Sequence, residues 1–169
     1  MADSLLIVKS KTFALTVVVL ILAISLSACT TPENKVLTSL GEYKSHEFYT
    51  EGAFQDYTDY AKYYFESADL TDNEYFSKIQ QSDIDTLNEH LDDFESWIKT
   101  YREGDASREI VVNYDFDRSL IDFEDYLHIY SETSTHTWDD GTTTTFFINY
   151  DIYFFDTQTN TLYYFHNNI

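Results

Sequence analysis

Carboxylates dominate the side chains here that could do chemistry: 30 Asp and Glu residues stand against 10 Lys and Arg, five His and one Cys. Zinc chemistry needs nitrogen or sulfur ligands at set spacings. His46, His90, His128, His136 and His166 form neither a His-x3-His nor a His-Glu-x-x-His pattern. His128 and His136 fall on one expected strand at even separation, so they share a face but lie roughly 26 Å apart at the strand rise. A site there would need His166 from a neighbouring strand. Calcium has oxygen ligands on offer at Asp69-Leu70-Thr71-Asp72-Asn73-Glu74 and at Asp115-Phe116-Asp117, yet neither stretch has the glycine and glutamate positions of an EF-hand loop. No serine stands in a Gly-x-Ser-x-Gly elbow, and none of the four glycines belongs to a phosphate-binding loop. The expectation is no catalytic residue, no metal and no cofactor.

One carboxylate pair needs separate treatment. Ile110-Val111-Val112 followed by Asp115-x-Asp117-x-Ser119 resembles the nucleophile motif of haloacid-dehalogenase phosphatases, where one carboxylate attacks and the next protonates. The resemblance implies a Mg2+ site and a downstream lysine to meet the phosphoryl charge. No Lys occurs after Lys99, and the 50 residues beyond Ser119 cannot supply the further βα units. An acidic turn after a short strand over residues 110–112 is the expectation instead.

Cys29 has a sharper context. Lys9 and Lys11 precede an uncharged run over residues 12–28, the order of a secretory signal peptide. Its apolar core, residues 13–26, is shorter than the ~20 residues a spanning helix needs. Leu26-Ser27-Ala28-Cys29 then resembles the lipobox of bacterial lipoproteins, and Thr30-Thr31-Pro32-Glu33-Asn34 looks like their polar tether. The resemblance covers about a sixth of the chain and implies diacylglycerol transfer to the Cys29 sulfur with cleavage before it. Small side chains at Ser27 and Ala28 would admit the peptidase. Two acyl chains hold a protein on a bilayer stably where one does not. The expected location is the extracytoplasmic side of a cell membrane.

Cleavage would remove Asp3, Lys9 and Lys11, leaving 29 acidic and 8 basic residues, a net charge of −21. Such a surface repels nucleic-acid phosphates and anionic lipid headgroups. It suits a cationic partner, and it also keeps an exported domain soluble. The expected function is a non-enzymatic binding module for a protein or glycan, an immunity or inhibitor protein being one form. The alternative is an envelope hydrolase, with or without a metal, using Asp or Glu and His.

These residues need elements to position them. Phe54, Tyr57, Ala61, Tyr64, Phe65 and Ala68 recur at steps of three and four, predicting a helix over residues 52–67. Thr71 and Glu74 make a capping box, which predicts a short helix through Tyr75, Phe76 and Ile79. Ile84, Leu87, Leu91, Phe94, Ile98 and Tyr101 form one stripe of a longer helix, with Gly104 as its C-cap. Residues 126–138 and 142–156 are β-prone runs around an Asp139-Asp140-Gly141 turn. Thr157-Gln158-Thr159-Asn160 is a second turn, with Asn160 suited to a left-handed backbone, before a last strand over 161–166.

Setting Asp156 opposite Thr161 places Phe146, Ile148, Tyr150, Ile152, Phe154, Tyr163 and Phe165 on one face. Phe147, Asn149, Asp151, Tyr153, Phe155, Leu162 and Tyr164 take the other. The fold class expected is α+β, N-terminal amphipathic helices packed on a C-terminal antiparallel β-meander. Residues 1–28 would be the signal peptide, 29–44 the lipidated cysteine and tether, and 45–169 one globular domain. Tyr153, Phe155 and Tyr164 are the candidate binding face, since tyrosine offers rigid amphipathic contact area.

Overall fold

The computed structural model describes residues 32–53 and 56–169. They belong to two compact units, divided between Thr38 and Ser39. Of the first, the described part is helix α1 (Pro32–Thr38), in a stretch expected to be tether. Proline suits a first helical position, where its missing N–H costs nothing.

The second unit is a six-stranded antiparallel sheet in the order β1-β2-β6-β5-β4-β3. The strands are β1 (Tyr43–Ala53), β2 (Asp56–Phe65), β3 (Ser77–Lys78), β4 (Tyr126–Thr137), β5 (Thr143–Asp156) and β6 (Thr161–Asn168). One long helix, α2 (Gln81–Gly104), lies on one face. A short helix α3 (Glu109–Asn113) and a 3-10 turn (Arg118–Leu120) follow it.

This corrects the expected architecture: among the described residues of this unit a single long helix, α2, packs on a six-stranded sheet, and strands β1 and β2, rather than further helices, come before it. The predicted helix over 52–67 instead covers the end of β1 and all of β2, which pair antiparallel. Its aromatic residues fit a helical period, but they also fit a strand buried on both sides. Thr58, Tyr60 and Lys62 face the helix layer, where the Tyr60 ring meets Tyr114 and Phe165. Tyr57, Asp59, Ala61, Tyr63 and Phe65 alternate onto the far face. Gly52, opposite Tyr57 near the end of β1, is required there: its φ is +139°, and a Cβ would lie 2.2 Å from the Asp56 carbonyl oxygen.

Two further expectations fail for local reasons. Thr71 caps nothing. Its N–H is taken by the Asp69 carboxylate at 2.9 Å, and Asp72 has a positive φ that a helix does not tolerate. Ile110-Val111-Val112 is helical, because the Val111 and Val112 N–H groups both bond to the Arg108 carbonyl. Ile110 and Val111 are buried there, and Val112 is exposed.

The α2 stripe behaves as its spacing requires. Leu87, Leu91, Phe94 and Ile98 are buried against Tyr150, Ile152, Phe154 and Phe165 of the sheet. At the helix start the Asp83 carboxylate accepts the Gln80 N–H at 2.9 Å. Asp156 opposes Thr161 in the β5–β6 ladder, and Asn160 has φ +53°. Asp125, fully buried, ties the other end of the meander together. One of its oxygens accepts from the Thr157 N–H and hydroxyl, the other from the Asp122 N–H.

Candidate interaction surface

Leu26, Ser27, Ala28 and Cys29 lie outside the described residues. Tyr153, Phe155 and Tyr164 share a face, with Tyr153 opposite Tyr164 in the ladder, but each is at most 8 % exposed. The Tyr164 hydroxyl donates to Asp151 at 2.7 Å. These three side chains are packed rather than presented.

Exposed aromatic area lies further along the same two strands. Beyond residue 132 the β4–β5 pair continues as a two-stranded ribbon, because β3 covers only Tyr126 and Leu127 and β6 ends opposite Asn149. A bulge sits at its base: Glu132 pairs with Asn149, and Thr133 pairs with Phe147, skipping Ile148. One extra residue in one strand exchanges the faces of everything beyond it. Phe147 therefore turns to the helix side and packs on His90 and Tyr150, at ring separations of 4.2 and 5.6 Å. Phe146 stays half-exposed at the rim. Phe146 and Trp138 are 46 % and 54 % exposed along this ribbon, and Tyr130, just below its base, is 46 % exposed.

Threonines hold the ribbon open. Thr135 meets Thr145 and Thr137 meets Thr143 across the strands, and the Trp138 indole N–H donates to Thr144 at 3.1 Å. Between ribbon and helix lies a pocket of about 410 Å3, lined by Glu89, Asp92, Thr133, Thr145, Phe146 and Phe147. Asp92 pairs with Arg118 at 2.8 Å, which also holds Glu95. Glu89 is exposed and has no ion pair or hydrogen bond among the described residues. The sequence does signal this ribbon, weakly. Residues 142–145 are four consecutive threonines, polar on both sides, as suits a hairpin that has left the core.

The phosphatase-like pair is occupied by structural work. Asp115 accepts from the Lys62 ammonium at 2.9 and 3.1 Å and from the Tyr60 hydroxyl at 2.8 Å. Lys62 also pairs with Glu47 at 3.0 Å. Burial works to raise the Asp115 carboxyl, but the Lys62 and Tyr60 hydrogen bonds and the Lys62 charge hold it below its ordinary value. Asp117 caps the 3-10 turn through the Ser119 N–H at 2.9 Å. Neither carboxylate stands free to attack a substrate.

The histidines divide similarly. His90 is bonded to the Thr86 carbonyl and His128 to the Tyr75 carbonyl, while His136 packs edge-on to Trp138 in the ribbon. His166 is the most engaged. Thr50, Asp59, His166, Asp151 and Tyr130 stand opposite one another across five strands. His166 Nδ1 lies 2.8 Å from Asp151, and both are buried. Burial pushes the Asp59 carboxyl up, against the lowering influence of a Thr50 hydrogen bond and the His166 charge. Among the described residues no three His, Cys, Asp or Glu side chains are placed to hold a metal ion, and no helix is long and apolar enough to cross a membrane.

Compared with known proteins, the chain matches no family model, no curated protein and no solved structure.

Proposed function

We propose that this chain is an exported lipoprotein, held to the extracytoplasmic side of a cell membrane by a diacylglyceryl group on Cys29. There it acts as a non-catalytic module that binds a cationic protein. The observation that carries the binding reading is the ribbon of β4 and β5. It projects half-exposed aromatic rings beside carboxylates, on a chain of net charge −20. Aromatic rings supply rigid contact area, and the charge excess accelerates encounter with a basic partner. The lipobox-like Leu26-Ser27-Ala28-Cys29 supports the anchor.

The hydrolase alternative has the Asp151–His166 pair as its starting material. That pair is buried, and the Asp151 oxygen beside His166 also accepts the Tyr164 hydroxyl, which leaves no open approach for a substrate.

In-cell crosslinking from the ribbon identifies the partner, and capture of that partner without crosslinker at 0.1 and 1 M salt tests the binding reading. The Debye length falls from about 10 to about 3 Å over that range, so a charge-steered complex weakens steeply. A crosslinked partner that is acidic, or whose capture ignores salt, refutes it. Cys29→Ser moves the protein out of the membrane fraction; retention there with an unmodified mass refutes the anchor.

A further inference from the structure

We infer that the pocket between α2 and the β4–β5 ribbon receives a lysine or arginine side chain of the partner. This inference rests on the cationic-protein reading and assigns that reading a site. Three features of the pocket converge on such a side chain. Its lining is apolar where a long aliphatic stem would lie: Phe146, Phe147 and the methyl-bearing Thr133 and Thr145. Its rim is acidic where the charged head would arrive. Glu89 has no cation of its own, and Asp92 spends one oxygen on Arg118. The half-exposed Phe146 ring offers a face to a cation.

The pocket's charge is not diluted by neighbours on the helix. Asp85, Glu89 and Asp92 lie on one stripe of α2 by their spacing of four and three, and all three are exposed. The bases that interrupt this acidity are paired, Arg118 at the pocket's own Asp92 and the others away from it. Lys44, Lys62, Lys78, Arg108 and Arg118 each meet a carboxylate. Lys99 and Arg102 lie in the last turns of the same helix, lining a different pocket.

The ribbon also determines what form the partner segment takes. Between Thr143 and Phe147, β5 pairs with β4 on one side and, among the described residues, with no strand on the other. An open edge pairs with an extended segment through backbone hydrogen bonds, while side-chain pockets give such recognition its selectivity. The occupant is therefore a basic residue on an extended segment.

The test uses the full chain, 15N-labelled, in neutral detergent. The probes are three acetylated heptapeptides alternating threonine with arginine, lysine or glutamine. The arginine and lysine peptides are expected to shift the amide signals of Thr133, Thr145, Phe146, Phe147 and Glu89, and the glutamine peptide to leave them unmoved. Glu89→Gln is expected to weaken binding about three- to tenfold, as the loss of one charged hydrogen bond does. Phe146→Ala is expected to weaken it about two- to fivefold through the lost cation–π contact. Both positions are exposed, so both variants keep the fold.

Binding of the cationic peptides that maps elsewhere, or is unchanged in Glu89→Gln, overturns the pocket and leaves the cationic-partner reading standing. Failure of both cationic peptides to bind at low salt overturns the two together.

Discussion

Replacing Lys62 by Met examines the part of the fold that ties the first hairpin to the chain after α2. The Lys62 side chain is 10 % exposed and joins Glu47 on β1 to Asp115, 53 residues further along. Methionine keeps much of the volume and removes the charge. Stripping a partner from a fully buried ion pair costs about 3–5 kcal/mol, because a charge is left uncompensated in the interior. Here the abandoned carboxylates are 40 % and 61 % exposed and regain water, so screening reduces the cost to about 1–3 kcal/mol.

The pH dependence is a stricter test than the magnitude. Hydrogen bonding and charge from Lys62 hold Glu47 and Asp115 below their ordinary carboxyl values. A carboxyl with a depressed folded value stabilises fully above its unfolded pKa, and that stability fades as pH falls through the folded value. The gap between wild type and Lys62→Met should therefore be widest near neutrality. It should close below about pH 4, the ordinary range of free carboxyls. Urea unfolding followed by tyrosine and tryptophan fluorescence at pH 7, 5, 4 and 3 measures it. A gap that stays constant across this series, or widens with acid, would refute the argument. The lost stability would then come from packing of the lysine stem.

Two other substitutions probe the core and the hairpin. Leu91→Ala, at a fully buried position in the α2–sheet interface, should cost about 2–5 kcal/mol in urea unfolding. A loss under 1 kcal/mol would mean that α2 is not packed on the sheet. Gly52→Ala puts a Cβ against the Asp56 carbonyl at a positive φ and should destabilise by more than about 1 kcal/mol, with loss of amide-exchange protection in β1. Unchanged protection there would show that the position has room for a side chain.

Local chemistry wrote much of the second half of the protein into its sequence. The Leu87-Leu91-Phe94-Ile98 stripe has one buried face, so its period of 3.6 admits a single reading. The Asp156–Thr161 register follows from a turn whose Asn160 takes the left-handed backbone the sequence suggested. Even the side chains facing the helix, Tyr150, Ile152, Phe154, Tyr163 and Phe165, follow from alternation in strands paired by a tight turn.

The first half was decided by partners far away in the chain. In β2 both faces carry aromatic residues, so spacing alone fits a helix as well as a strand. Its ladder with β6, where Thr58 stands opposite Asn167 and bonds to it across a separation of 109 residues, settles the matter. Lys62 finds Asp115 the same way. At the ribbon one residue left out of the β4 ladder, Ile148, decides that Phe147 packs on the helix side, and nothing in the residue types announces a bulge. Periodicity identifies an element when burial is one-sided. Where both sides are buried, or a register slips by one, only the three-dimensional neighbours choose between equivalent patterns.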